Sequence, residues 1–205
     1  MVKVFLITGS SGSGKTTLAT SLTKRPFSNK STCLLSMDHF YKSKPKDIPA
    51  ENYDFDHPDA IDWNEFQYVV HELYSGRNVT ICTYSFETHM KTDVAIELIA
   101  ADILLIEGNL VAHNPDIRKI ATRIIFVSTS LDECLCRKIT RDIKERGRTT
   151  SGSIKQWRTQ VKPGYDAFIK PVKKYDNVII FKNNSDVSHM FGSKKYNELI
   201  DLIDE

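Results

Sequence analysis

The chain has 205 residues, with 28 Lys and Arg against 26 Asp and Glu and a net charge of +2; it is 40% apolar and 26% charged. That length predicts one domain, residues 1–205, with a sizeable core. The near-balanced charge argues against nucleic-acid binding through bulk positive charge. The lack of a long apolar run argues against a membrane span.

The first apolar run, Val2–Ile7, is β-branched and of strand length. It leads into Gly9-Ser10-Ser11-Gly12-Ser13-Gly14-Lys15-Thr16, which fits G-x-x-x-x-G-K-[ST] at every fixed position, and then into a helix start at Thr16–Leu22. Strand, glycine loop and helix in that order make a phosphate-binding loop. Glycines let the backbone approach phosphate, and successive N–H groups form an anion nest at a helix N-terminus. The loop Gly9–Thr17 is therefore the expected ATP site. Lys15 is expected on the β- and γ-phosphates, and the Thr16 hydroxyl on Mg²⁺.

Four further apolar runs follow: Cys33–Met37, Ile103–Ile106, Ile124–Val127 and Val178–Phe181. All five are continuous rather than alternating, the pattern of strands buried on both faces. Helical patterns separate them, so the fold class is α/β, a five-stranded parallel sheet with helices on both faces. Functional residues then belong at the carboxyl ends of the strands. Asp38 follows the second run and Glu107 the third. Asp38 has two readings, a base for an attacking hydroxyl or a turn cap. Glu107 directly follows four apolar residues and needs a partner; a carboxylate beside such a loop commonly supports Mg²⁺.

Residues 42–62 read as a polar loop. Within it, Asn52–Ala60 carries aromatics and carboxylates that suit either a polar, ring-containing substrate or a solvated loop. Trp63–Tyr74 has helical periodicity and Gly76 ends it. Asn78–Tyr84 alternates, which places it in a small hairpin or edge outside the main sheet. A helix from Leu131 carries Arg137, Arg141 and Lys144 on one face and leads into Gly147–Gly152. That is the composition of a phosphate-closing lid, roughly residues 144–155, or of a solvated basic face. Ser153–Ile169 reads as helix broken near Pro163-Gly164, and Tyr196–Ile203 as a short amphipathic helix. The four cysteines form no C-x-x-C pair, and three lie in apolar runs. Buried free thiols and a cytoplasmic location are expected.

Together these motifs resemble the uridine-cytidine kinases, within the wider group that includes phosphoribulokinase and pantothenate kinase. The resemblance rests on Asp38-His39-Phe40-Tyr41, Phe55-Asp56-His57-Pro58-Asp59-Ala60, Tyr84-Ser85-Phe86 with His89, Glu107-Gly108, Arg141–Arg148 and Val161-Lys162-Pro163. It implies a Mg²⁺-dependent transfer of phosphoryl from ATP, or GTP, to the 5′-hydroxyl of uridine or cytidine. It implies Asp38 as general base, with Lys15, Arg141 and Arg146 as the other catalytic groups, and Thr16 and Glu107 on the metal. Asp56 would hold the ribose hydroxyls. Tyr41, Phe55, Tyr84, His89, Lys138, Arg148 and Gln156 would complete the nucleoside site. A homo-oligomer is implied too. The chain departs from the family at Lys138 and Lys91, where Arg is usual, at Ser85, where Asp is frequent, and at Asn109, where an aliphatic residue is usual. These departures bear on acceptor preference; a nucleoside-like acceptor such as nicotinamide riboside is the alternative.

Overall fold

The computed structural model describes residues 2–25, 27–50, 52–183 and 192–205. Strands β1 (Lys3–Gly9), β2 (Thr32–Ser36), β5 (Ile103–Glu107), β6 (Arg123–Ser128) and β7 (Val178–Lys182) form one parallel sheet in the order β2-β5-β1-β6-β7. The five continuous apolar runs are these five strands. Val4 and Leu6 point into one core, with Leu35, Leu104, Ile106 and the helix α2 (Trp63–Tyr74). Phe5 and Ile7 point into the other, with Leu105, Ile125 and helix α1 (Lys15–Thr23). Both faces are covered, which is why the runs do not alternate with polar residues.

The register is what positions the chemistry. Glu107 stands beside Ile7 of β1 and Ser36 of β2, so the end of β5 meets the ends of both neighbours. The alternating segment forms a separate antiparallel hairpin, β3 (Val79–Ser85) with β4 (Met90–Leu98). An ion pair from Lys91 to Glu65 fastens it to α2. Asp62 caps α2 by accepting from the Glu65 N–H at 3.1 Å. Helices α3 (Pro115–Ile120), α4 (Leu131–Glu145) and Lys194–Asp204 complete the layers.

Two expectations are corrected. The helical run after α5 (Thr150–Gln156) does not break at Pro163-Gly164; the backbone stays right-handed helical through both. Wide turns absorb the proline: the Lys162 N–H reaches Trp157 O, and the Lys170 N–H reaches Tyr165 O, each five residues back. Of the thiols, Cys33 and Cys134 are buried, but Cys82 and Cys136 are exposed. Cys82 lies on the outward side of an alternating strand. Among the described residues no helix is long and apolar enough to cross a membrane.

Candidate active site

The glycine loop joins β1 to α1. Gly12 (φ +80°) and Gly14 (φ +94°) are left-handed, and Gly14 stands as the N-cap of α1. Lys15 is 7% exposed and donates to Ser10 O at 3.0 Å, so it lies back over its own loop. Burial lowers its pKa, while Glu107 and Asp38 pull in the other direction.

Glu107 is buried at the floor of the cleft. It accepts from Ser36 Oγ at 2.7 Å and from Thr16 Oγ1 at 3.4 Å. Burial and the nearby Asp38 raise its pKa; Lys15 and the two hydroxyls oppose that shift. Thr16 and Glu107 thus converge as oxygen donors at the start of α1. A hydroxyl and a carboxylate, with room left for water and phosphate oxygens, are the donor set Mg²⁺ takes. Asp38 sits one residue into the tight turn Met37–Phe40 that follows β2, half-buried, its N–H 3.4 Å from Ser36 Oγ.

Two cavities meet here. One is lined by Asp38, Tyr41, Phe55, Asp56 and His89, together with Lys138, Arg148 and Gln156. The other is lined by Gly12, Gly14, Thr17 and Arg137. Lys15, Thr16, Asp38, Arg141 and Arg146 line both.

The first cavity has an aromatic wall. His89 stacks on Phe55 at 4.6 Å and 27°, and Tyr41 packs on Tyr84 at 5.4 Å. His89 has φ +56°, left-handed for a residue with a Cβ, at the turn between β3 and β4. Its Nδ1 and the Tyr84 hydroxyl are buried and have no hydrogen-bond partner among the described residues. Such atoms are costly to leave unpaired, and a ligand's polar edge is one remedy. Burial, with Arg148, Lys44 and Arg146 adding to it, lowers the pKa of His89 and so favours the neutral ring. Burial also raises Tyr84 and Tyr41, so both hydroxyls stay protonated.

Asp56 is 8% exposed, and its pKa is raised to about 6 by burial and by Asp54, against the pull of Lys138, Lys15 and Arg148. A Cβ on Gly164 would stand 2.9 Å from Asp56 O, so the bulged helix presses on this loop only because residue 164 is glycine.

The cations come from α4 and the segment after it. Arg141 reaches Ser11 Oγ of the glycine loop at 3.3 Å. Arg146 lies over the Phe86 ring at 3.9 Å. Lys138 is buried, ion-paired to Asp142, and donates to Gln156 Oε1 at 2.8 Å; Arg148 donates to the same oxygen. Of the residues expected at the site, all but Gly9, Ser10, Ser13 and Tyr84 line one of these cavities, and Tyr84 packs on Tyr41. Lys144, read on one helix face with Arg137 and Arg141, is exposed and lines neither cavity, whereas Arg146, just past the end of α4, lines both. Sequence reading missed Ser36 as the partner of Glu107, Phe86 as the platform for Arg146, and Asp142. Ser36–Glu107 and Phe86–Arg146 join distant segments, while Asp142 pairs with neighbours in sequence and is set apart only by its burial.

Comparison with known proteins agrees. The sequence model of the Phosphoribulokinase / Uridine kinase family matches residues 4–188. Uridine-cytidine kinase B of Dictyostelium discoideum is 38% identical over 176 residues, 85% of this chain and 72% of that protein. Uridine kinase of Ureaplasma parvum is 33% identical over 182 residues, 88% of each chain. Phosphoribulokinase from Rhodobacter spheroides superposes with a TM-score of 0.63 at 19% identity, covering 94% of this chain and 75% of its own, a likeness of fold. Glycine loop, parallel sheet and sequence relatives converge: the chain belongs to the phosphoribulokinase/uridine kinase family of kinases.

Proposed function

We propose that the chain transfers the γ-phosphoryl group of ATP to the 5′-hydroxyl of uridine or cytidine. The observation that carries this reading is the meeting of two cavities at Lys15, Thr16, Asp38, Arg141 and Arg146. A transfer between two bound molecules needs one wall common to both. In this reading the Gly9–Thr17 loop holds the donor phosphates. Asp38 takes the hydroxyl proton as the new O–P bond forms and the bond to the β-phosphate oxygen breaks. Arg141 and Arg146 neutralise the transferring group. Thr16 and Glu107 would hold Mg²⁺, which when bound neutralises charge on the phosphate oxygens. Residues 144–155 close over the site and exclude water.

Asp56 holds the ribose hydroxyls, with Lys138, Arg148 and Gln156 on the nucleoside's far side. Phe55 and Tyr41 form the wall. The neutral His89 ring offers one donor and one acceptor nitrogen, and Tyr84 a hydroxyl, to the edge of the base. The test is ADP formation from ATP and Mg²⁺ with uridine, cytidine, deoxycytidine, adenosine, guanosine and nicotinamide riboside. Activity confined to uridine and cytidine is expected. Preference for nicotinamide riboside, or ADP release independent of any acceptor, overturns the reading.

Asp56 supplies a second test. Its folded-state pKa, about 6, lies above the unfolded value of 3.8, so folding favours the protonated form. The stability linked to this group is fully present below pH 3.8 and is lost as pH rises through about 6. At pH 7.5 the carboxylate is therefore a destabilising group kept for binding. Asp56→Asn is expected to raise Tm at pH 7.5 by a few degrees, to raise the nucleoside KM at least tenfold and to leave ATP affinity unchanged. A lower Tm with an unchanged nucleoside KM contradicts both halves.

A further inference from the structure

Asp142 is completely buried on α4, yet it lines neither cavity. Its carboxylate gathers the cations of the site. One oxygen takes the Lys138 ammonium and lies 3.4 Å from Ser153 Oγ of α5. The other takes Arg141 at 3.1 Å and lies 3.9 Å from Arg146. Its backbone carbonyl accepts the N–H groups of Arg146 at 3.2 Å and Arg148 at 3.1 Å. One residue therefore ends α4, turns the chain through the left-handed Gly147, and holds cations both from α4 and from beyond it. Burial pushes its carboxyl pKa upward, but Lys138 and Arg141 outweigh burial and hold it below the ordinary value.

Four cations, Lys138, Arg141, Arg146 and Arg148, converge around the acceptor cavity and repel one another. Among the described contacts, Lys138, Arg141 and Arg146 share one buried carboxylate, that of Asp142, and Arg148 is held to the same residue by its backbone N–H. An arginine has five donors in a fixed fork, so Arg141 can bind Asp142 and still present free N–H groups toward Ser11 and a phosphoryl oxygen. We infer that Asp142 is a positioning residue, whose carboxylate sets the spacing of Lys138, Arg141 and Arg146 before either substrate arrives. The array is then built in advance rather than assembled by the nucleotide, and no reorganisation is left for the transfer step. This inference rests on the kinase reading above.

The test compares Asp142→Asn, which keeps shape and loses charge, with Asp142→Glu, which keeps charge and displaces it. Ser153→Ala is the control, since it removes the 3.4 Å contact and leaves the ion pairs. On the best acceptor, Asp142→Asn is expected to lower kcat about 10–100-fold with KM for ATP changed by less than about threefold. Asp142→Glu is expected to lower kcat at least about fivefold, and Ser153→Ala to change it by less than about twofold. Hydrogen exchange across residues 146–156, read without substrate, is expected to be about tenfold faster in Asp142→Asn. Parent-level kcat in Asp142→Asn, or in Asp142→Glu should the first variant fail to fold, overturns the inference. So does a loss carried wholly by KM for ATP. If no acceptor turns over, the kinase reading fails, and the exchange measurement still decides whether Asp142 orders the segment.

Discussion

Asp38→Asn is expected to lower turnover by about 10²–10⁴-fold, while ATP affinity stays within about threefold of the parent. The two effects separate because the residue touches only one of the jobs. Asp38 is carried by the turn Met37–Phe40 after β2, on the wall common to both cavities. The donor phosphates have their own scaffold, the N–H groups of the glycine loop and Lys15, to which residue 38 adds only its charge. Asparagine keeps the volume and loses the ability to accept a proton. Phosphoryl transfer asks little covalent chemistry of the protein, so the one group that orients and deprotonates the hydroxyl carries a large share of the rate. A coupled ADP assay at saturating nucleoside, beside fluorescent-nucleotide titration, measures both quantities. Near-parent turnover removes Asp38 from the mechanism.

Gly12→Ala is expected to weaken ATP binding more than about 100-fold and to lower Tm by several degrees. A Cβ at Gly12 would stand 2.3 Å from Cys134 O and within 3.3 Å of two more backbone atoms of Cys134. No flexible side chain can yield there; the loop and the first turn of α4 must separate. Because α4 also carries Lys138 and Arg141, the displacement reaches both ends of the site. Gly76→Ala is the control. Its φ of +78° imposes a similar backbone strain, about 1–2 kcal/mol, but nothing lies within 4 Å of the added methyl. It should lose stability and keep parent-level ATP affinity. Equal ATP affinity in the two variants would mean that the contact with Cys134 is irrelevant.

The sheet was legible because each strand is an apolar run ended by a polar group, and in the central strands β1, β5 and β6 burial on both faces leaves little else to read. The phosphate loop was legible because its chemistry is contained in one short segment. Asp38 and Glu107 followed from strand ends. The course of the helix through Pro163-Gly164 was not legible. A missing proline N–H normally ends a helix, and only the wider hydrogen-bond pattern on either side lets it continue. The exposure of Cys82 and Cys136 depends on which face of a hairpin and a helix they occupy. The role of Asp142 was hidden for a different reason. Its partners Lys138, Arg141 and Arg146 are close in sequence, but the burial that makes the pairing consequential comes from α5 packing over α4.

The wall of the first cavity, proposed to hold the acceptor, draws on pieces outside the main sheet: the loop bearing Phe55 and Asp56, and the β3–β4 hairpin bearing His89 and, packed behind on Tyr41, Tyr84. The phosphate loop, Glu107 and Asp38 hang directly from strands β1, β5 and β2. Inheritance can therefore act on the two halves separately. Substitutions in the hairpin and its facing loop alter what is held without disturbing the strand register on which transfer depends. A lineage can retune its choice of acceptor in small viable steps, with the costly part of the machinery left untouched.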